Sequence, residues 1–289
     1  TDSRAVPVLI AALDDTAEEV VAAAIESLGN HKAASAVDQL IKKMNDAFTG
    51  ESKNRTKLVT EAMKSLTKIG EARAVEPIIT VLKSHDRWLI GTAASSLGRF
   101  KDTRAVEPLI DLLKTGNWLG GPAAAAALAQ IGDPRAVEPL IRETVPPPAE
   151  LFVRAKAATK TSPDPEATGP VNRYNFNHLA SITALGTFAD ERATKQLIHL
   201  LRTGDDEIKR EAVKSLIAQG AAAVPQLVTT LSVTDKAIPY QAAQVLSAIG
   251  QPAVDPMIRA MQTGSASTKQ AAIYGLALMR NAAAVDALI

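Results

Sequence analysis

From Ala105 onward the apolar residues fall at Val106, Leu109, Ile110 and Leu113, the spacing of one face of an α-helix. The segment before it, like "DPR" at 133–135, pairs an acid that can cap a helix with residues that suit its first turn. Pro77, Pro108 and Pro139 stand about one turn into such stretches, where a missing N–H costs least. A polar turn such as "TGDDE" at 203–207 comes next. It leads into a second periodic stretch, for example "IKREAVKSLIAQG", which closes on a glycine that stops helices. Strand-like alternation does not compete with this pattern, and an all-α fold is predicted.

The pattern repeats. "KDTRAVEPLI" at 101–110 returns 31 residues later as "GDPRAVEPLI" at 132–141. Related phrases start at Ala5, Ala36, Ala74, Ala105, Ala136, Ala193, Ala223, Ala253 and Ala284. Each of the first eight is followed by an alanine-rich stretch ending in Leu28, Leu66, Leu97, Leu128, Leu185, Leu216, Leu246 or Leu276. Six of those eight spacings are 23 residues, and the next phrase follows the leucine by 7 or 8. A fixed period of this length predicts a right-handed α-solenoid, an α/α superhelix of about eight helical pairs, as one domain over 1–289.

"SLTKIGEARAVEPII", "ALAQIGDPRAVEPLI" and "ALGTFADERATKQLI" resemble the HEAT-like repeats first described in phycobilisome lyases. The resemblance covers nearly the whole chain and implies the solenoid. It does not imply one activity, because such repeats serve bilin lyases, iron hydroxylases, adaptors and assembly factors. The iron hydroxylases use paired His-Glu motifs. His31, His85, His178 and His199 are scattered here and none precedes a glutamate, so that activity is not expected.

Departures from the average repeat carry the functional signal. Repeat two holds 7 extra residues at about 47–56, and repeat five holds 26 extra at about 146–174. Both excesses fall in the turn inside a helical pair, so both should project from one edge. The larger contains "AELFVRAKAA", which could form a short helix between prolines. Phe152, with Tyr174 and Phe176, favours a segment that docks over one that is mere decoration.

The second helix of each pair should turn positions −9, −6, −5 and −2 from its leucine away from the core. In repeats one, two and six these are mostly charged: Glu19, Ala22, Ala23, Glu26; Lys57, Thr60, Glu61, Lys64; Glu207, Arg210, Glu211, Lys214. In repeats three to five they are Trp88, Gly91, Thr92, Ser95; Leu119, Pro122, Ala123, Ala126; Phe176, Leu179, Ala180, Thr183. Trp118 adjoins Leu119. An apolar zone holding both tryptophans marks a binding face, unless the insertion itself covers it. Trp88, Trp118, Leu119, Phe176, Leu179, Tyr174 and Phe152 are the candidate partner-binding residues.

Composition removes alternatives. Without cysteine there is no disulfide, thiolate nucleophile or cysteine metal site, and neither metal spacing nor a phosphate loop occurs elsewhere. Asp14-Asp15 and Asp205-Asp206 stand where helix caps belong. A net charge of +1 and a wall read as apolar leave nucleic acid without its main binding energy, which argues against a DNA-glycosylase-like groove. No apolar run spans a bilayer.

The expected function is a non-catalytic protein-binding scaffold or accessory subunit within a larger complex, without cofactor, metal or catalytic residue. A bilin-lyase-like chaperone or transferase subunit is the alternative. Acids and arginines that occur together (Asp2/Arg4, Glu71/Arg73, Asp102/Arg104, Asp133/Arg135, Asp190/Arg192) predict a structural ladder between units. The lack of cysteine and of an initiator methionine points toward a periplasmic or secreted setting. The chain enters its first repeat within a few residues of Thr1 and stops at Ile289 inside a ninth. Its ends are therefore expected to continue into a longer protein or to abut other subunits.

Overall fold

The computed structural model describes residues 4–51, 54–115, 119–147, 170–235 and 237–279, and no strand occurs among them. Each repeat is a pair of successive helices. They are α1 (Ala5–Ala12) and α2 (Glu18–Asn30), α3 (Val37–Thr49) and α4 (Arg55–Ile69), α5 (Val75–Val81) and α6 (Arg87–Phe100), and α7 (Val106–Lys114) and α8 (Gly120–Ile131). Then come α9 (Val137–Glu143) and α10 (Pro170–Leu185), α11 (Glu191–Thr203) and α12 (Asp206–Gln219), α13 (Val224–Thr230) and α14 (Ile238–Ile249), and α15 (Val254–Thr263) and α16 (Ala266–Met279). This is an α-solenoid fold, with helical pairs where the sequence period places them.

The chain divides into two compact units. One is Thr1–Ala136 with Pro146–Asn177; the other is Val137–Val145 with His178–Ile289. In the first unit each second helix packs on the next, α2 on α4, α4 on α6 and α6 on α8. Small residues permit the approach. A Cβ on Gly98 would come within 2.8 Å of the Ala127 backbone, so α6 and α8 meet almost main chain to main chain. In the second unit α9 packs on α11, and α12, α14 and α16 stack in turn. Ser215 Oγ, on α12, donates to the Ile182 carbonyl at 2.9 Å. The landmark leucines are all buried, and so are the phrase alanines from Ala36 to Ala253. The two repeated landmarks are the core.

Five phrases open not as α-helix but as one 3-10 turn of three residues, for example Thr103–Ala105 and Pro134–Ala136. The acid caps that turn: Asp133 Oδ1 accepts the Arg135 N–H at 3.0 Å. The arginine then reaches back one repeat. Arg104 donates to the Ala72 carbonyl at 2.8 Å and lies 3.7 Å from Glu76. Arg135 does the same with the Thr103 carbonyl at 3.3 Å and Glu107 at 3.4 Å. Arg73 takes the Ala34 carbonyl and Asp38. The ladder expected between repeats is present, with one refinement. Asp102, Asp133 and Asp190 each hold their own arginine, and the link to the previous repeat runs through Arg73, Arg104 and Arg135.

Of residues 47–56, the first three end α3 and the last two begin α4. The Arg55 guanidinium lies 5.2 Å from the centre of the Phe48 ring, closing the turn. Most of 146–174, including Phe152 and the "AELFVRAKAA" segment, lies outside the described residues, as do Trp118, Val285 and Leu288. At the other end Val6 and Leu9 are half-buried and Val8 is 70% exposed.

Candidate docking cleft on the second helices

α6 begins where Asp86 leaves the chain extended. The Asp86 carboxylate accepts the backbone N–H of Trp88 at 2.9 Å and of Leu89 at 3.4 Å, which caps the helix. Its other oxygen takes the Thr56 hydroxyl at 2.6 Å, tying the start of α6 to the start of α4. Burial raises the Asp86 pKa, but the Thr56 and backbone hydrogen bonds and nearby Arg55 outweigh it. The carboxyl therefore sits below its ordinary value. This capped start aims Trp88 outward, and Leu89 and Ile90, the next two residues, are buried.

Trp88 is 70% exposed and lines a cleft of about 410 Å³ between α4, α6 and α8. The floor is made by Gly91, Thr92, Ser95, Leu119 and Ala123. Thr92 Oγ1 donates to the Trp88 carbonyl and Ser95 Oγ to the Gly91 carbonyl, so both hydroxyl protons are used inside the helix. The cleft therefore meets a visitor mainly with carbon. Lys64, Arg87 and Arg99 also line it, and among the described residues no carboxylate does.

Trp88 and Leu119 both line this cleft. Tyr174 and Phe176 are half-buried on α10 in the first unit and do not line the cleft. Leu179 is half-buried and falls in the second unit. The expected exposed positions mostly hold, but Ala22 is buried, because α4 packs over that flank of α2. The reading of this wall as purely apolar is corrected. Counting positions within one repeat omits what neighbouring helices supply: Lys64 comes from α4, and Arg87 and Arg99 flank the counted stretch of α6.

The same positions in repeats seven and eight went unread. They include Tyr240, Gln241 and Gln244 on α14, and Gln270 and Tyr274 on α16. The two tyrosine rings meet edge to face at 5.4 Å, and Gln244 Nε2 donates to the Tyr274 hydroxyl at 3.0 Å. This uncharged aromatic face was legible by the same count. The described residues hold no group of three or more His, Asp or Glu fit for a metal, and no helix long and apolar enough to cross a membrane.

Repeated helical pairs with a cleft on their second helices define an α-solenoid of the kind used for protein interaction. A family model for HEAT repeats matches residues 54–119 and 75–159, and the chain carries HEAT-like repeats there. Comparison with curated proteins returns no match. Among solved structures, the complex of CpcE and CpcF of phycocyanin lyase from Nostoc sp. PCC7120 is 20% identical, with 95% of this chain and 93% of that chain covered and a TM-score of 0.48. Human deoxyhypusine hydroxylase is 21% identical over 88% of this chain and 99% of its own, at a TM-score of 0.35. A designed armadillo repeat protein is 14% identical over 74% and 99%, at 0.41.

Proposed function

We propose that this protein is a non-catalytic scaffold or accessory subunit that holds a partner polypeptide along the exposed face of its second helices. Trp88 and Leu119 are the anchor. One observation carries the reading: a tryptophan left 70% exposed at the lip of a formed cleft, on a rigidly capped helix. Large exposed aromatics in clefts are where interface energy concentrates. HEAT repeats serve as interaction scaffolds in general, which agrees with it.

The test is affinity for a partner purified from the native source. Replacing Trp88 with alanine should weaken it by about 2 kcal/mol, roughly thirtyfold. Glu19→Ala and Lys214→Ala, both exposed and neither in the cleft lining, should change it less than threefold, about 0.6 kcal/mol. Equal, negligible effects from all three would overturn the proposal. A chain that instead takes up an added bilin and develops its absorbance would favour a chromophore-handling role.

A further inference from the structure

The cleft has a charge pattern as well as a shape, and that pattern says what kind of segment fits it. Resting on the scaffold reading above, we infer that the Trp88 cleft receives an acidic peptide segment, one large apolar side chain flanked by carboxylates. The floor offers carbon from Leu119, Ala123 and the Trp88 ring, in a volume of about 410 Å³. That volume suits one large side chain rather than a helix. Around it stand Lys64, Arg87 and Arg99, with no Asp or Glu in the lining among the described residues. Lys64 binds Glu61 at 2.9 Å, one turn along its own helix and outside the lining. Arg99 makes no ion pair among the described residues. An incoming carboxylate meets a cation at a partly dry surface, where the pairing sets partner choice more than raw affinity.

Nucleic acid fits less well. Its binding energy comes from many phosphates along a basic track, whereas here three cations surround a single apolar pit on a chain of net charge +1. Gly91 supplies an independent handle on the site. A Cβ there would meet nothing closer than the Leu119 carbonyl at 4.0 Å, so a side chain at 91 enters the cleft without disturbing the helix.

The experiment uses the full chain and three labelled synthetic peptides that share a central leucine, flanked by glutamate, glutamine or lysine, read by fluorescence anisotropy at low and high salt. The glutamate peptide should bind at least about tenfold tighter than the glutamine peptide and weaken in high salt, and the lysine peptide should not bind. Arg99→Glu should cost the glutamate peptide about tenfold and relieve the exclusion of the lysine peptide. Gly91→Leu should abolish binding with the helical circular dichroism unchanged. Equal binding of the three peptides, or an unaffected Arg99→Glu variant, overturns the inference. So does a single-stranded oligonucleotide that binds as tightly. So does a peptide of residues 148–169 that displaces the glutamate peptide with higher affinity, since the occupant would then be the chain's own. If Gly91→Leu and Trp88→Ala still release the native partner while peptide charge makes no difference, the scaffold reading stands and only the charge rule falls. If neither variant affects the native partner, the scaffold reading itself falls.

Discussion

Asn177 holds the middle of α10 in place, and it does so from a position where other repeats carry a hydrophobe. It is fully buried, eight residues before its landmark leucine, where Leu58, Leu89, Ile208 and Ile238 stand in four other repeats. Its Nδ2 donates to the Leu113 carbonyl at 2.9 Å, in the last turn of α7, where carbonyls lack partners within the helix. Gly121 lies opposite, and a Cβ built there would fall onto the Asn177 amide. Asn177→Ala is therefore expected to cost about 1–3 kcal/mol, by stranding that carbonyl and leaving a void. Gly121→Ala should cost a similar amount, about 1–3 kcal/mol, through overpacking. The double variant should lose clearly less than the sum, because alanine at 177 makes room for the new methyl. Urea unfolding of the four proteins checks this, and strictly additive losses would show that the two residues do not share a space. Asn177 was legible as a polar residue in a core register, but attention to exposed positions passed over it. Trp88 and Leu119 were found because they were sought on the outward face. That Lys64, Arg87 and Arg99 share their cleft was not, because membership of a cleft depends on which helices become neighbours, and periodicity within one repeat does not contain that.

At the scale of elements, the period of the sequence resolved the helical pairs, and the boundaries moved for identifiable reasons. From Ala36 to Ala253, except at Ala193, the phrase alanine ends a 3-10 turn and the first helix begins one residue later; α5 and α9 are left with 7 residues each. Where an acid and arginine precede the alanine, as at Asp102/Arg104 and Asp133/Arg135, they shape that turn, which local helix signals do not reveal. Helix ends were plainer. Gly70 and Gly132 close α4 and α8 with φ of +84° and +74°, the left-handed geometry in which a Cβ is strained. Nothing lies within 4 Å of a Cβ at either, so an alanine there suffers only the backbone penalty. Gly132→Ala should destabilise by about 1 kcal/mol. Lys101 takes the same conformation after α6, with φ of +54°. Lys101→Gly should therefore stabilise by about 1 kcal/mol, and thermal melts of the two variants should move in opposite directions. A parallel shift would mean that side-chain contacts, not the left-handed turn, decide these positions. The capped start of α6 is an element-level device as well. Asp86→Ala should cost about 1 kcal/mol and loosen Trp88, so it should weaken docking more than the exposed change Glu19→Ala does.

Over the whole molecule, what turns isolated pairs into a stack is the contact each makes with its predecessor. The arginine rungs are the electrostatic part of that contact, and their pH dependence can be worked out. Asp102 and Asp133 are held below the ordinary carboxylate value, chiefly by the side-chain hydrogen bond from their own arginine and then by its backbone N–H. Asp190 is lowered in the same way by Arg192. A carboxyl whose folded pKa lies below its unfolded value binds a proton more readily when unfolded. Its stabilisation is complete above the unfolded value of about 4, and it is lost as pH falls through the folded one. Each rung also has a part that does not titrate, such as the bond from Arg135 to the Thr103 carbonyl. Arg135→Ala removes both parts. Compared with the parent protein it should be least stable relative to it near neutral pH, and the deficit should shrink below about pH 4 as Asp133 takes up its proton. A remainder should persist in acid, because the carbonyl bond has no proton to gain. Salt should reduce the neutral-pH deficit, since the Arg135 side chain is half exposed and its pairing with Glu107 is open to screening. The measurement is urea unfolding of both proteins from pH 7 down to about 3, followed by the amide exchange of residues 103–107 in each. A deficit that is constant across that range would reduce the rung to its carbonyl bond alone. A deficit that vanishes in acid would mean that the bond between repeats contributes nothing and that only the ion pairs join them.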